Sequence, residues 1–559
     1  MSGLSIAISG LRAGQAGLNV TGHNLANHHT RGFTRQLVHQ STFVKQTIGR
    51  NAFGAMQIGL GTNITGIRQV RDHFLDMRWR AEAPALNFWD VQVATGQRLD
   101  TIFGEMEGEF RLQGALRDFN QALHELNVEV PSISVRSNFV FFASNLVTRV
   151  QDAARSMEHR QMELNSQVKS GVRRINQLVT NIDDLNRRIA REEAGGSNPN
   201  DFLDRRNNYI DELATIIPIQ VREASNGNIN IIANGHALLV NGVQAHMGLQ
   251  FSAPGSLFVH PVFTNSDEIL SYEAENIRSF FNWPALNNMD ELPNQGSLLS
   301  IIASRGLGTS THMSVNPNSP EYNEVWNQFN IRHGTIPQVQ MQLDTLMNSI
   351  VNMFNAAFAS PSFDHGMPVN MEGNWHGRII PPSNEPLDLR LFIEINPERG
   401  LTIDNIRINP EFTVMGGASR IPLTFDGEGD TRLVSQLVRQ WTSASITMEQ
   451  LLPMGTTLGD EVPFIQFPGW YGFSIDGFYR NFIDTMATNT STAMGFLAGA
   501  IEGMNFLDNR RMEISGVSIE EEMSNLIRYQ HAYNASARMI NTIDSMLDRV
   551  INQTGRVGL

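Results

Sequence analysis

The chain has 559 residues, of which 41% are apolar and 18% charged, an ordinary globular composition that excludes wholesale disorder and provides for about three to four domains. A formal net charge of −14 argues against nucleic-acid binding by the chain as a whole, because neutralising phosphates takes surplus Lys and Arg. The chain has no cysteine, so disulfides, thiolate catalysis and Cys-ligated zinc are excluded.

Taken in chain order, Leu4, Ile8, Leu11, Gln15, Leu18, Gly22 and Leu25 step by four and three, the spacing of a helix that offers one apolar seam. This helix is expected to end near Asn27. Gly32 then serves as a turn residue able to take positive φ, and Phe33 folds back as an anchor. Residues 1–71 contain seven basic residues (Arg12, Arg31, Arg35, Lys45, Arg50, Arg68, Arg71) and no Asp or Glu. These charges are dispersed among apolar residues, so the segment reads as a packing surface rather than a nucleic-acid arm. Its start lacks the basic stretch of a cleaved signal peptide, and no segment of the chain is long and apolar enough to span a bilayer. The expectation is a soluble protein, cytosolic or exported by a route that reads no cleavable signal.

A helical block is expected from about residue 84 to 193, interrupted at Pro131. Val168, Val172, Ile175, Val179, Ile182, Leu185 and Ile189 follow helical spacing, and Ala194-Gly195-Gly196-Ser197-Asn198-Pro199 breaks it. A short helix follows near Asp201 to Ile216, with Asp201 and Asp204 at its capped start. After Pro218 the runs ending in Asn234-Gly235 and Asn241-Gly242 predict strands joined by Asn-Gly turns. Helix is expected again at about 296–305 and from Ile336 to Phe358. A second strand-rich stretch covers about 361–430, with Leu389 to Ile395 its clearest run.

From residue 431 the chain returns to helix, apart from a loop around 453–473. Ile519, Met523, Leu526, Gln530, Tyr533, Ala537 and Ile540 repeat the four-three stepping of the N-terminus, and Ile543, Leu547 and Val550 continue it. Ser518 and Glu521 form a capping box, and Glu520, Glu521 and Glu522 put negative charge where the helix dipole favours it. Running from Ile519 to Asn552, this helix would span ~50 Å.

The expected fold class is mainly α with β-rich insertions: a long-helix bundle or coiled coil built from both chain ends, with strand-rich domains budding from it. The expected parts are a terminal helical assembly domain (1–35 plus 519–559), a helical bundle domain (36–216 plus 296–360 plus 431–518), a β-rich domain (217–295) and a second β-rich insertion (361–430). Burying each Leu or Ile of the end seams is worth roughly 1.5–3 kcal/mol, so the seams call for partners. Leu4, Ile8, Leu11, Leu18, Leu25 and Phe33, with Ile519, Met523, Leu526, Tyr533, Ala537, Ile540 and Leu547, are the candidate assembly residues. The two end helices are expected to stay mobile until copies meet, and then to pack as an antiparallel pair.

No chemistry emerges beside this. His23, His28 and His29 have no Cys and no nearby acid to complete a metal set. His124-Glu125 lacks the second His of a zinc protease, and the third glycine of Gly59 to Gly66 falls too late for a dinucleotide turn, which leaves a hairpin or loop. Asp426-Gly427-Glu428-Gly429-Asp430 lacks the ligand order and closing Glu of a calcium loop. No catalytic residue, cofactor or metal is assigned, and the chain reads as a structural protein rather than an enzyme.

Ser9-Gly10-Leu11-Arg12-Ala13, Asn24-Leu25-Ala26-Asn27 and Thr30-Arg31-Gly32-Phe33-Thr34-Arg35-Gln36 resemble the N-terminal signature of the flagellar rod, hook and hook-associated axial proteins. Ser515 to Met523, with Leu526-Ile527, Gln530, Ala532-Tyr533 and Ala535-Ser536-Ala537, resembles the matching C-terminal signature. Leu116-Arg117-Asp118-Phe119, Leu185 to Ile189 and Asp201 to Arg206 are similar to helical-domain motifs of the hook-associated members. His23, His28 and His29 depart from the pattern, standing where the family often has Asn or small residues. The resemblance implies export through the flagellar secretion channel and an extracellular location without a cleaved signal peptide. It also implies a ring of copies at the distal end of the hook, at the junction of hook and filament. The implied partners are the chain itself, the hook protein, hook-associated protein 3 and a cytoplasmic export chaperone on the C-terminal helix, with no nucleic acid and no membrane insertion. Other readings are a hook or distal-rod subunit, an enzyme carried on a flagellar scaffold, and an adhesin using Trp375, Trp470 and Tyr471 on the strand-rich inserts.

Overall fold

The computed structural model describes residues 2–553 apart from 44, 52–53, 105–111, 225–226, 253–256, 265–268, 272–277, 282–291, 308–333, 359–373, 376–377, 380–389, 398–400, 424–429 and 443–473. Most of Asp426 to Asp430, together with Trp470 and Tyr471, lies outside the described residues. Long helices occupy both ends, as the seams require: α1 is Ser2–Ala26, and α11, at the far end, is Ile519–Asp548 followed by one wider turn over Arg549–Gln553. Gly32 takes φ +77° in the turn after α1.

Residues 36–69 are a correction. Expected within the helical bundle, they form an extended arm. Strand β1 (Gln36–Thr42) pairs antiparallel with β4 (Thr62–Gln69), with a bulge between His39 and Gln40, and β2 (Lys45–Asn51) pairs with β3 (Gly54–Gly59). Gly-rich turns and scattered Thr, Val and Ile favour strands here, but the polar residues between them hide the alternation. A second correction concerns α2 (His73–Phe103), which begins well before residue 84 and runs through Pro84. Asp72 caps it, its Oδ1 accepting from Phe74 N at 2.8 Å.

Helices α3 (Leu112–Val128) and α4 (Ile133–Ala194) are separated around Pro131, and Gly196 at φ +80° stops α4. Helix α5 (Asn200–Ile216) follows. Strands β5 (Ile219–Glu223), β6 (Ile229–Ala233), β7 (His236–Val240) and β8 (Val243–Gln244) then form an antiparallel meander. Both Asn-Gly turns take positive φ at each central residue, as the hairpin geometry demands. A second sheet has the order β11 (Ile269–Leu270), β9 (Met247–Phe251), β10 (Val259–Phe263), β12 (Arg278–Ser279). Helices α6 (Gly296–Arg305) and α7 (Thr335–Phe358) come next.

The second insertion is sparser. It contains β13 (Asn374–Trp375) paired with β14 (Arg378–Ile379), β15 (Phe392–Glu394) paired with β16 (Ile406–Ile408), and the short α8 (Pro410–Thr413). Helices α9 (Arg432–Thr442) and α10 (Ile475–Ser515) lead to α11.

The chain divides into two compact units. One comprises residues 1–84, 174–245 and 500–559, the other 85–173 and 246–499, a grouping different from the four-part division expected from sequence. The second unit is built round an aromatic knot. Phe119 of α3 stacks on Phe139 of α4 at 5.2 Å, meets Phe354 of α7 at 5.3 Å and takes the edge of Trp441 of α9 at 5.6 Å. All four side chains are fully buried. In the first unit Ile182, Ile210, Leu213, Ile231 and Leu239 are buried together with Asn186, which exchanges bonds with both backbone groups of Ile229.

Asp344 on α7 accepts the Ile403 N–H at 2.8 Å. Burial pushes its pKa up to about 7, against the Ile403 bond and with the charge of Asp404 adding. An unfolded Asp titrates near 3.9, so the folded chain keeps a proton that the unfolded chain has lost. This contribution to stability is full below about pH 4, declines as pH rises towards about 7 and is absent above. Asp344→Asn retains the acceptor and removes the titration. Urea melts should find the variant more stable than the parent at pH 8 and level with it near pH 4; equal stability at both would refute this assignment.

Candidate functional site: the paired terminal helices

Helices α1 and α11 pack against each other inside one chain. Gly3 faces Ile543, Gly10 faces Ser536, Gly14 faces Tyr533, Gly17 faces Tyr529, and Asn24 bonds Glu522. One number rises as the other falls, so the pair is antiparallel. The α1 face in contact is Gly3, Ala7, Gly10, Gly14, Gly17, Thr21 and Asn24, a second four-three stripe one residue away from the leucines. At about 100° per residue, the leucine stripe lies roughly a quarter-turn round the helix from this contact.

The approach is close because the residues are small. A methyl at Gly14 would stand 3.1–3.2 Å from the backbone N, Cα and Cβ of Tyr533, one at Gly10 would lie 2.7 Å from Ser536 Oγ, and one at Gly17 would fall within the Tyr529 ring. Of the residues read as the assembly seam, Leu4, Leu11, Leu18 and Leu25 are half-buried and Ile8 is exposed. On α11, Leu526, Tyr533, Ala537 and Ile540 are half-buried, while Ile519, Met523 and Leu547 are 48%, 46% and 44% exposed. Tyr533 is thus brought onto α1, and the leucine row is not the face that meets α11. Phe33 is half-buried, with the His23 ring edge-on at 5.4 Å.

Polar groups lock the α1 C-terminus to the α11 N-terminus. Buried Asn24 donates from Nδ2 to the Gln36 carbonyl at 2.9 Å and to Glu522 Oε2 at 3.1 Å, and its Oδ1 accepts from Gln36 N at 3.0 Å. Arg35 pairs with Glu521, and its N–H donates to the Ser515 carbonyl at 2.9 Å. Ser518 caps α11, its hydroxyl accepting from Glu521 N.

Below this lies an ion network that the sequence did not disclose. Arg71 bonds Asp76 at 2.5 Å, Arg80 bonds Asp211 at 2.6 Å, and Arg511 reaches Asp76 at 2.9 Å and Asp211 at 2.7 Å. Arg511 also lies over the Trp79 ring, 5.0 Å from its centroid. Burial alone would raise the pKa of Asp76, but the Arg71 bond and the charges of Arg71, Arg511 and Arg80 outweigh it and hold the group below the usual carboxylate range. Asp204 accepts from Thr34 N at 3.1 Å and from Thr34 Oγ1 at 2.6 Å, and burial leaves its pKa raised despite those bonds and the Arg71 charge. The network joins the residues after the arm to α2, α5 and α10.

His28 Nδ1 lies 2.8 Å from the Leu25 carbonyl at the end of α1, and His23 Nε2 is 3.9 Å from Asp201. Among the described residues no group of three His, Cys, Asp or Glu is placed to hold a metal ion. An open polar cleft of about 700 Å³ lies between the arm and the start of α5, lined by His23, Thr65, Glu192, Asn198 and Asp201 among others. Neither strand-rich insert contributes to it.

Residues 96–273 match the family described as flagellar hook-associated protein FlgK helical domain, and residues 509–554 match the flagellar basal body rod FlgEFG protein C-terminal family. Flagellar hook-associated protein 1 of Bacillus subtilis (strain 168) is 24% identical over 566 residues, spanning 99% of this chain and 98% of its own. The protein of that name from Salmonella typhimurium is 22% identical over 595 residues, and that from Escherichia coli K12 is 21% identical over 573, each spanning 98% of both chains. The solved structure of the flagellar hook junction protein FlgK from Burkholderia pseudomallei is 18% identical over 57% of this chain and 46% of its own, with a TM-score of 0.41, a likeness too slight to bear on this chain's fold.

The glycine stripe makes a paired prediction. In an open helix Gly→Ala is favourable by about 1 kcal/mol. Gly22 has nothing within 4 Å, so Gly22→Ala should slow amide exchange in residues 519–548 or leave it unchanged. Gly14→Ala should accelerate exchange there, with overpacking costing about 1–3 kcal/mol. Slower exchange in Gly14→Ala would contradict the close approach.

Proposed function

The chain resembles flagellar hook-associated protein 1 from end to end, and on that footing we propose that it is a structural subunit of the bacterial flagellum forming the junction between hook and filament. The observation that carries this reading is the near-complete span of the likeness, which includes both terminal signatures and the helical domain. The C-terminal match alone would suit a rod or hook subunit equally, and the match over residues 96–273 favours the hook-associated role. The chain serves as a building element, not as an enzyme.

In this reading the subunit is secreted without a cleaved signal and forms a ring on the distal end of the hook. Its neighbours are other copies, the hook protein and hook-associated protein 3. An export chaperone holds α11 in the cytoplasm and keeps its apolar residues from premature contact. The physical support is the unused surface of the helix pair. Each half-buried Leu of α1 gains part of the roughly 1.5–3 kcal/mol of full burial when a neighbour arrives. Immobilising side chains at each new contact offsets part of that gain, so assembly favours a template where several contacts form together. The residues assigned to inter-subunit packing are Leu4, Ile8, Leu11, Leu18 and Leu25 of α1, and Ile519, Met523, Leu526, Ala537, Ile540 and Leu547 of α11.

Deleting the gene in the strain that makes the protein should give hooks without filaments and flagellin shed into the medium, seen by electron microscopy. Leu11→Asp and Leu526→Asp should each fail to restore filaments while the purified variants keep the parent circular dichroism. Filaments of normal number and attachment in the deletion strain would rule the junction role out.

A further inference from the structure

The helix pair has two unlike sides. On one side lies the chain's own arm: Gly61 and Thr62 reach Ile6 and Ser9 of α1, the Thr62 N–H donates to Ser9 Oγ at 3.2 Å, and Arg35 at the foot of the arm pairs with Glu521 of α11. Leu4, Leu11 and Leu18 sit on the opposite flank of α1. Ile519, Met523 and Ile527 sit on the matching flank of α11, each about half exposed. In an antiparallel pair, stripes displaced in the same helical sense from the contact line fall on the same side, so the two rows form one face. The charged residues on its α11 edge are Asp544 and Asp548, both exposed, and among the described residues of the two helices no Lys or Arg lies on this face.

The arm carries the opposite charge. Residues 36–69 contain Lys45, Arg50 and Arg68 and no acid. Arg68 is exposed, and Phe43 stands 46% exposed between β1 and β2. An apolar face edged by Asp544 and Asp548 therefore lies on the other side of the helix pair from an arm that carries the exposed Arg68 and the half-exposed Phe43 ring.

We propose that the open face of one copy is covered by the arm of the next copy, so that copies pack head to tail rather than face to face. This rests on the self-assembling role proposed above and names its contact. A face-to-face pair would set Asp544 and Asp548 of two copies on one interface and leave both arms uncovered. Head-to-tail contact joins opposite charges and repeats, which generates rings or helical stacks instead of closed dimers.

The absence of cysteine gives a clean test. Gln15 and Gln530 are exposed on the open face, and Thr42 and Asn63 are exposed on the arm. Full-length double variants pairing Gln15→Cys or Gln530→Cys with Thr42→Cys or Asn63→Cys are expressed in place of the parent, and isolated hooks are mildly oxidised. The expected result is a ladder of disulfide-linked multimers from at least one double variant and monomers from every single variant. Dimers from Gln15→Cys or Gln530→Cys alone would overturn the proposal, and so would hooks that carry the chain yet give no ladder. Absence of the single arm variants Thr42→Cys or Asn63→Cys from hooks, with unchanged circular dichroism and with the parent present, would support the arm contact. Absence of the parent as well would overturn the axial reading, and the proposal with it. Phe43→Asp gives an independent readout: at least a tenfold fall in chain per hook with unchanged circular dichroism is expected, and parent-level incorporation would contradict the arm's role.

Discussion

The close approach of α1 and α11 along a row of glycines is the constraint on which the rest of the structure depends. Because Gly10, Gly14 and Gly17 carry no side chain, the tyrosines of α11 lie directly on the α1 backbone, and the pair closes without using the leucines. Had the leucines filled this contact, each helix would have consumed its own apolar surface and little would remain for a neighbour. The small-residue stripe thus separates two tasks that a single heptad seam would confuse, folding within a chain and packing between chains.

Buried polar chemistry fixes where this pair stands within its unit. Asn24 satisfies backbone groups of the arm and a carboxylate of α11 at once, which sets the register of three segments with one side chain. Arg511 does the same for α2 and α5 through Asp76 and Asp211. Removing one member of such a network strands the charge of another, which is costlier than losing a surface pair. The ends of the chain are therefore anchored where α10 passes into α11, and the stretch beyond the anchor is left to helix packing.

Much of this was legible from the residues alone. The four-three stepping of Leu4 to Leu25 and Ile519 to Ile540 announced long terminal helices, Ser518 and Glu521 marked the start of α11, and the Asn-Gly pairs placed two turns of the first sheet. What escaped was the face each helix uses. Gly3, Ala7, Gly10, Gly14 and Gly17 keep the same period as the leucines, but small residues register as absence of hydrophobicity rather than as a contact. The arm was missed because Gln, Asn, Thr and Gly break its alternation. Arg71, Asp76, Asp211 and Arg511 look like ordinary charged residues in sequence, since only the fold brings them together. The start of α2 lies upstream of the expected residue 84, where the Asp72 cap carries it.

Pulsed electron–electron distance measurement gives the most direct test of the glycine-mediated pairing. Spin labels at Gln15 and Gln530 sit on adjacent flanks of the two helices, and the labelled chain would be diluted into unlabelled chain so that only distances within one molecule are read. With helix axes about 8–10 Å apart, a narrow distribution lying within about 20 Å is expected. A broad distribution extending well beyond that would mean that α1 and α11 are not paired within a single molecule.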